Sequence, residues 1–134
     1  MAGKIGSKLK GGETIELVSD LGGGKTAFVQ GLATGMGSAD NIHSPSFTLS
    51  NEYKAGALTL YHFDLHRLNE PGIIRDEMAE ILHDSQNVVA VEWADIVKDI
   101  LPAERFTIEI VPSGENSREI SFSYPGDLAY LIPC

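Results

Sequence analysis

Lys25 and Thr26 have the clearest chemistry in the chain, because they close the run Ser19-Asp20-Leu21-Gly22-Gly23-Gly24-Lys25-Thr26. A triphosphate needs many donors at short range. Successive glycines let the backbone curl until several N–H groups point inward as an anion nest. Lys25 adds a point charge for the β and γ phosphates. The Thr26 hydroxyl offers Mg²⁺ the oxygen ligand it prefers. Leu21, Gly22, Gly23, Gly24, Lys25, Thr26 and Ala27 thus form the candidate nucleotide-binding stretch. One residue departs from the phosphate-loop pattern: Ser19 occupies the place of its first glycine.

Such a loop works only between a strand and a helix. The apolar run Thr14-Ile15-Glu16-Leu17-Val18 precedes it, and the helix-like segment Ala27 to Ala33 follows, ending near Gly35-Met36-Gly37. A helix placed there aims its free N–H groups and positive dipole end at the phosphates. A second candidate group is Glu92, which caps the apolar run Val88-Val89-Ala90-Val91. In a chain with such a loop, an acid at that position would hold Mg²⁺, directly or through water, or polarise an attacking water; the alternative is an acidic residue where a strand meets solvent. Asp64, at the end of Leu58 to Phe63, is a candidate second acid; its alternative role is an ion pair with Arg67 that shapes a loop. Trp93 either covers the nucleotide or closes the edge of the core. His62 is read as an ordinary polar residue that orients Asp64. The spacing of four between His62 and His66 matches a helical zinc pair, but His62 sits in a strand pattern, so the four histidines are not read as a metal set.

The remaining chain supplies the frame. Met1 to Lys10 resembles the last turns of an amphipathic helix, with Ile5 and Leu9 four apart and Gly11-Gly12 as its end. That helix starts abruptly, as it would if an N-terminal piece were missing. Ser44-Pro45-Ser46 marks either a mobile segment that senses the γ-phosphate or a simple turn. Phe47 to Tyr53 and Leu58 to Phe63 form a hairpin around Lys54-Ala55-Gly56. Leu65 to Ile74 reads as loop with Pro71-Gly72 as breaker, and Asp76 to His83 as a short helix with Asp76 near its start. Asn87 to Glu92 lacks alternation, as in a parallel strand covered on both faces. Asp95 to Leu101 reads as a short helix. Phe106 to Val111 and Glu119 to Tyr124 form a second hairpin. The expected fold is a three-layer α/β/α, phosphate-loop NTPase-like sandwich with a mixed parallel and antiparallel sheet. One domain is expected over residues 1–134, with 124–134 as a C-terminal tail. Ligands in such sheets sit at the carboxyl ends of the strands, where the glycine loop, Glu92 and Asp64 all fall.

Bulk properties narrow the function classes. The chain is 43% hydrophobic and 22% charged, ordinary for a globular protein, and no apolar run reaches transmembrane length. The single cysteine excludes a disulfide framework and makes a reducing cytoplasm the expected location. The net charge is −9. From Asp64 to Glu104 acidic residues far outnumber Arg67, Arg75 and Lys98. Such a surface repels nucleic acid and anionic lipid, so any link to nucleic acid is expected to run through a partner and no membrane role is expected; the alternative is ordinary solubility charge.

Several motifs taken together resemble one family. They are Leu21 to Leu32, Ser44-Pro45-Ser46-Phe47-Thr48-Leu49, Asn51-Glu52-Tyr53, His62-Phe63-Asp64-Leu65-His66-Arg67-Leu68 and Glu92-Trp93-Ala94. Their order and separations are similar to those of the TsaE (YjeE) family of bacterial ATPases, over about Lys8 to Ser123. The resemblance implies ATP and Mg²⁺ as cofactors and slow ATP hydrolysis. It implies action with TsaB-like and TsaD-like subunits in forming threonylcarbamoyladenosine in tRNA. By matching positions, Lys25 and Thr26 become the phosphate and Mg²⁺ residues. Glu92 becomes the catalytic or metal-site acid, Asp64 the second acid, Trp93 a functional neighbour, and Ser44 to Phe47 a switch-like loop. Three features depart from the family pattern: Ser19, His66 where Tyr is usual, and a shorter N-terminal segment.

Two other functions compete. A small phosphoryl-transferring kinase would use Asp64 as base, but the arginines are only Arg67, Arg75, Arg105 and Arg118, with no basic lid. A non-catalytic, nucleotide-gated binding module would bind ATP without turnover. A GTPase is disfavoured because no Asn-Lys-x-Asp motif is present.

Overall fold

Four apolar residues in succession, Val88 to Val91, require cover on both sides of a sheet. A computed structural model, which describes residues 2–19, 25–38, 50–65, 72–92, 97, 99–102, 104–112 and 118–132, supplies it. The elements in chain order are α1 (Ala2–Gly6), β1 (Thr14–Ser19), α2 (Lys25–Met36), β2 (Ser50–Ala55), β3 (Leu58–Asp64), α3 (Gly72–His83), β4 (Asn87–Glu92), β5 (Phe106–Pro112), β6 (Arg118–Ser123) and a 3₁₀ segment (Gly126–Leu131). The strands form a six-stranded sheet in the order β2-β3-β4-β1-β5-β6.

Alternation along β4 divides the interior into two cores. Val88 and Ala90 join Ile5, Val29, Leu32, Ile15, Leu17 and Phe106 on one side. Val89 and Val91 join Phe63, Leu65, Met78, Val97 and Leu101 on the other. So α1 and α2 cover one face, and α3 with the segment around Val97 to Leu101 covers part of the other. That is the expected three-layer α/β/α arrangement. Pairing is parallel for β3·β4, β4·β1 and β1·β5, and antiparallel for β2·β3 and β5·β6, so the sheet is mixed as expected.

Several boundaries differ from the sequence reading. The first hairpin turns at Gly56-Ala57, because Ala55 already pairs with Leu58. Gly56 has φ +63°, the positive value that tight hairpin turns require at their first loop position. Helix α3 begins at Gly72, so Gly72 to Ile74 are helical and not loop. A proline directly before a helix does not break it, since the first-turn N–H groups have no intrahelical partner to lose. Asp76 accordingly sits beyond the first turn, where no acid lies. Helix α1 stops at Gly6, short of Gly11-Gly12; the chain then tightens through bonds from Lys8 N to Ile5 O and from Leu9 N to Gly6 O. Between Asp95 and Leu101 the described residues show a 3₁₀ position at Val97 and an Ile100 N to Val97 O turn rather than an α-helix.

The C-terminal tail docks on the body. Leu131 is fully buried in the α1–α2 core. Lys8 Nζ donates to the Ile132 carbonyl at 2.6 Å. The buried Glu13 carboxylate accepts from Lys10 N, Gly11 N and the Tyr130 hydroxyl at 2.8, 2.7 and 2.5 Å, tying the tail to the start of β1.

Candidate nucleotide site at the carboxyl edge of the sheet

Helix α2 opens at Lys25, the residue after the glycine run, and continues through Thr26 and Ala27. It is the sole element of the chain that has the sequence of a phosphate loop directly before it. Only five residues separate Ser19 from Lys25, so the first turn of α2 lies within about 20 Å of the end of β1. Phe28, Val29, Leu32 and Ala33 pack α2 onto the sheet. Each fully buried aliphatic side chain there contributes about 1.5–3 kcal/mol, which holds the helix axis against β1 and β4. At its far end Gly37, at φ +95°, and Ser38 donate to Thr34 O and Ala33 O, the double bond of a Schellman cap.

β4 pairs directly with β1, with Glu92 opposite Leu17. On its other side Glu92 lies opposite Asp64 of β3. Adjacent strands are about 4.8 Å apart, so the two acidic positions are next-door neighbours at the carboxyl edge. The register therefore joins two sites that are 28 residues apart in sequence by the difference of their numbers, 92 and 64. Glu92 shares the parity of Val88 and Ala90, which face α2. It is only 3% exposed. Its Oε2 hydrogen-bonds to Nε2 of His62, itself 5% exposed.

That bond is the part of the site that sequence reasoning missed. His62 was expected to orient Asp64, two residues along its own strand; the Asp64 side chain lies outside what is described. His62 Nε2 bonds across to Glu92 on β4. The available signal was parity: in a parallel β3·β4 pair with His62 opposite Ala90, Glu92 falls two register positions along on the face that His62 shares with Leu60.

Placement of the other candidates is mixed. Lys25, Thr26 and Ala27 lie in the first turn of α2, and Asp64 at the end of β3; for these the backbone alone is described. Leu21, Gly22, Gly23, Gly24 and Trp93 lie outside the described residues, as do Ser44 to Phe47 and His66. Among the described residues no group of three or more His, Cys, Asp and Glu side chains could hold a metal. A carboxylate at the end of β4 together with a hydroxyl residue in the first turn of α2 is an all-oxygen donor set, which suits a hard cation such as Mg²⁺.

A central strand leading to a glycine loop, a helix that begins with Lys-Thr, and an acid ending the adjacent parallel strand define a phosphate-loop NTPase-like fold. The family described as "Threonylcarbamoyl adenosine biosynthesis protein TsaE" matches residues 1–120, and the chain belongs to this family. The tRNA threonylcarbamoyladenosine biosynthesis protein TsaE of Bacillus subtilis is 39% identical over 118 residues, covering 88% of this chain and 73% of that protein. The protein of the same name from Treponema pallidum is 38% identical over 117 residues, covering 87% and 86%. Among solved structures, Bacillus subtilis YdiB superposes with a TM-score of 0.72 at 38% identity, over 94% of this chain and 77% of that one.

Proposed function

We propose that this chain is an ATP-binding, Mg²⁺-dependent, slow ATP hydrolase that acts with TsaB-like and TsaD-like subunits to form threonylcarbamoyladenosine in tRNA. One observation carries the ATPase part: a buried carboxylate, Glu92, ends the strand adjacent to the loop strand, on the face covered by the helix that begins at Lys25 and Thr26. Membership of the TsaE family and the names of its relatives carry the tRNA part.

In this reading the glycine run and the first N–H groups of α2 bind the phosphate oxygens. Lys25 neutralises charge on the transferred phosphoryl group. Thr26 and Glu92 are the residues that would hold Mg²⁺, which would supply charge neutralisation at the phosphates. Glu92, with Asp64 beside it, orients and polarises the attacking water. Trp93, the next residue in sequence, borders the nucleotide. The chain works in the cytoplasm and engages its partners as protein surfaces, without holding tRNA itself. Residues 1–134 act as one ATPase domain.

The test is ATP hydrolysis by the wild-type chain, Lys25→Ala and Glu92→Ala, each with and without purified TsaB and TsaD. Slow hydrolysis that the partners stimulate is expected. Lys25→Ala should weaken nucleotide binding at least about tenfold, and Glu92→Ala should lower turnover about 10²-fold while ATP still binds. Nucleotide affinity unchanged in Lys25→Ala would sink the reading. Binding without turnover in the full assembly would favour the nucleotide-gated module. ADP formation dependent on a small acceptor would favour the kinase.

A further inference from the structure

We propose that His62 is the positioning residue for Glu92, its ring N–H setting the orientation of the carboxylate that serves the nucleotide. The inference rests on the reading of Glu92 as the acid of an ATP site. His62 lies opposite Ala90 and Asp64 opposite Glu92 in the parallel β3·β4 ladder. His62 and Glu92 are therefore two register positions apart on the α2 face of neighbouring strands. Both are more than nine-tenths buried, and Nε2 of the one meets Oε2 of the other. In the proposed role Nε2 of His62 is the donor of this bond and the Glu92 carboxylate its acceptor.

A glutamate side chain has several rotatable bonds, and ordering it costs conformational entropy. The His62 bond removes that freedom before nucleotide arrives. A carboxylate that must aim a lone pair at a water or a cation gains most from such preorganisation. The competing role is a structural weld between β3 and β4. Six register pairs, Thr59↔Asn87 through Asp64↔Glu92, already join those strands. The packing of Phe63 with Val91 and of Leu60 with Val88 adds to that ladder. A weld made of two buried polar groups also carries a desolvation penalty that an apolar pair avoids.

The experiment compares wild type with His62→Gln, whose side-chain N–H reaches about as far as Nε2, with His62→Asn, whose amide N–H stops short of that position, and with His62→Phe, which has no donor. Steady-state MgATP hydrolysis is measured with and without the partner subunits, and binding of a fluorescent ATP analogue is followed across a Mg²⁺ titration. We expect kcat to fall about tenfold or more in the Asn and Phe variants, with KM within about twofold, and Gln to recover most of the loss. If Phe does not fold, the Asn and Gln pair decides. Turnover in Asn and Phe within twofold of wild type, or equal losses in Gln and Asn, would overturn the proposal. If the wild type hydrolyses no ATP even with its partners, the ATPase reading fails and the Mg²⁺ titration decides. A higher Mg²⁺ requirement in Asn and Phe, relieved in Gln, supports positioning; an unchanged requirement overturns it.

Discussion

At the scale of single residues, the buried polar groups divide into those with a partner and those without. Tyr53 is almost fully buried, and its hydroxyl has no hydrogen-bond partner among the described residues. Burial pushes its pKa up to about 12 from the usual 10.0. Removing an unsatisfied hydroxyl relieves a desolvation cost, so Tyr53→Phe should be neutral or stabilise by up to about 1 kcal/mol at pH 7. The raised value also has a pH signature. A phenol held protonated by the fold contributes stability that is complete below pH 10 and is lost as pH climbs through the folded value. Urea unfolding between pH 9 and 12 should therefore show a shallower alkaline loss in Tyr53→Phe than in wild type; identical slopes would contradict it. Glu13 is the opposite case, a buried carboxylate with three donors. Glu13→Ala leaves those donors without their acceptor and should cost about 2–3 kcal/mol, read as a lower thermal midpoint. Glu92 and His62 belong with Glu13, since each is a buried polar group with the other as its hydrogen-bond partner.

At the scale of elements, the packing of α1 on α2 depends on glycine. A Cβ added at Gly35 would meet the Gly3 carbonyl oxygen at 2.1 Å, and one at Gly6 would meet the Leu32 oxygen at 2.2 Å. Backbone cannot yield as a flexible side chain does. Gly35→Ala should therefore cost about 1–3 kcal/mol, because α1 must move off the loop helix. Gly37 is a useful contrast: it has open space around it but a φ of +95°. Gly37→Ala should cost only the left-handed backbone penalty of about 1–2 kcal/mol. Urea midpoints for both variants, with far-ultraviolet circular dichroism to follow α1, separate clash from strain. A Gly35→Ala protein as stable as wild type would show that the helices tolerate wider spacing.

At the scale of the whole molecule, the net charge of −9 sets what the surface accepts. A polyanion gains affinity by releasing counterions to basic side chains, and this chain has few to offer. We expect the isolated chain to give no tRNA retention in filter binding at about 150 mM salt, where the screening length is about 8 Å. A salt-dependent shift of tRNA by the chain alone would overturn that expectation. No helix among the described residues is long and apolar enough to cross a membrane.

Much of this was legible in one dimension. Strands and hairpins declare themselves by alternation, β4 by its unbroken apolar run, and the loop helix by Gly-Lys-Thr after a strand, because these are local consequences of side-chain geometry along the backbone. The order of motifs was enough to show the family. Helix α3 was misread at Gly72 because proline marks a helix start as readily as a break, and only packing tells which. Parity along β3 alone could not identify the partner of His62. Its bond to Glu92 depends on which strands are neighbours and in what register, and that is decided when β3 and β4, joined through α3, bury their two faces in separate cores. Residue types and spacing are properties of the chain, whereas a contact between residues thirty positions apart, the separation of 62 and 92, is a property of the sheet.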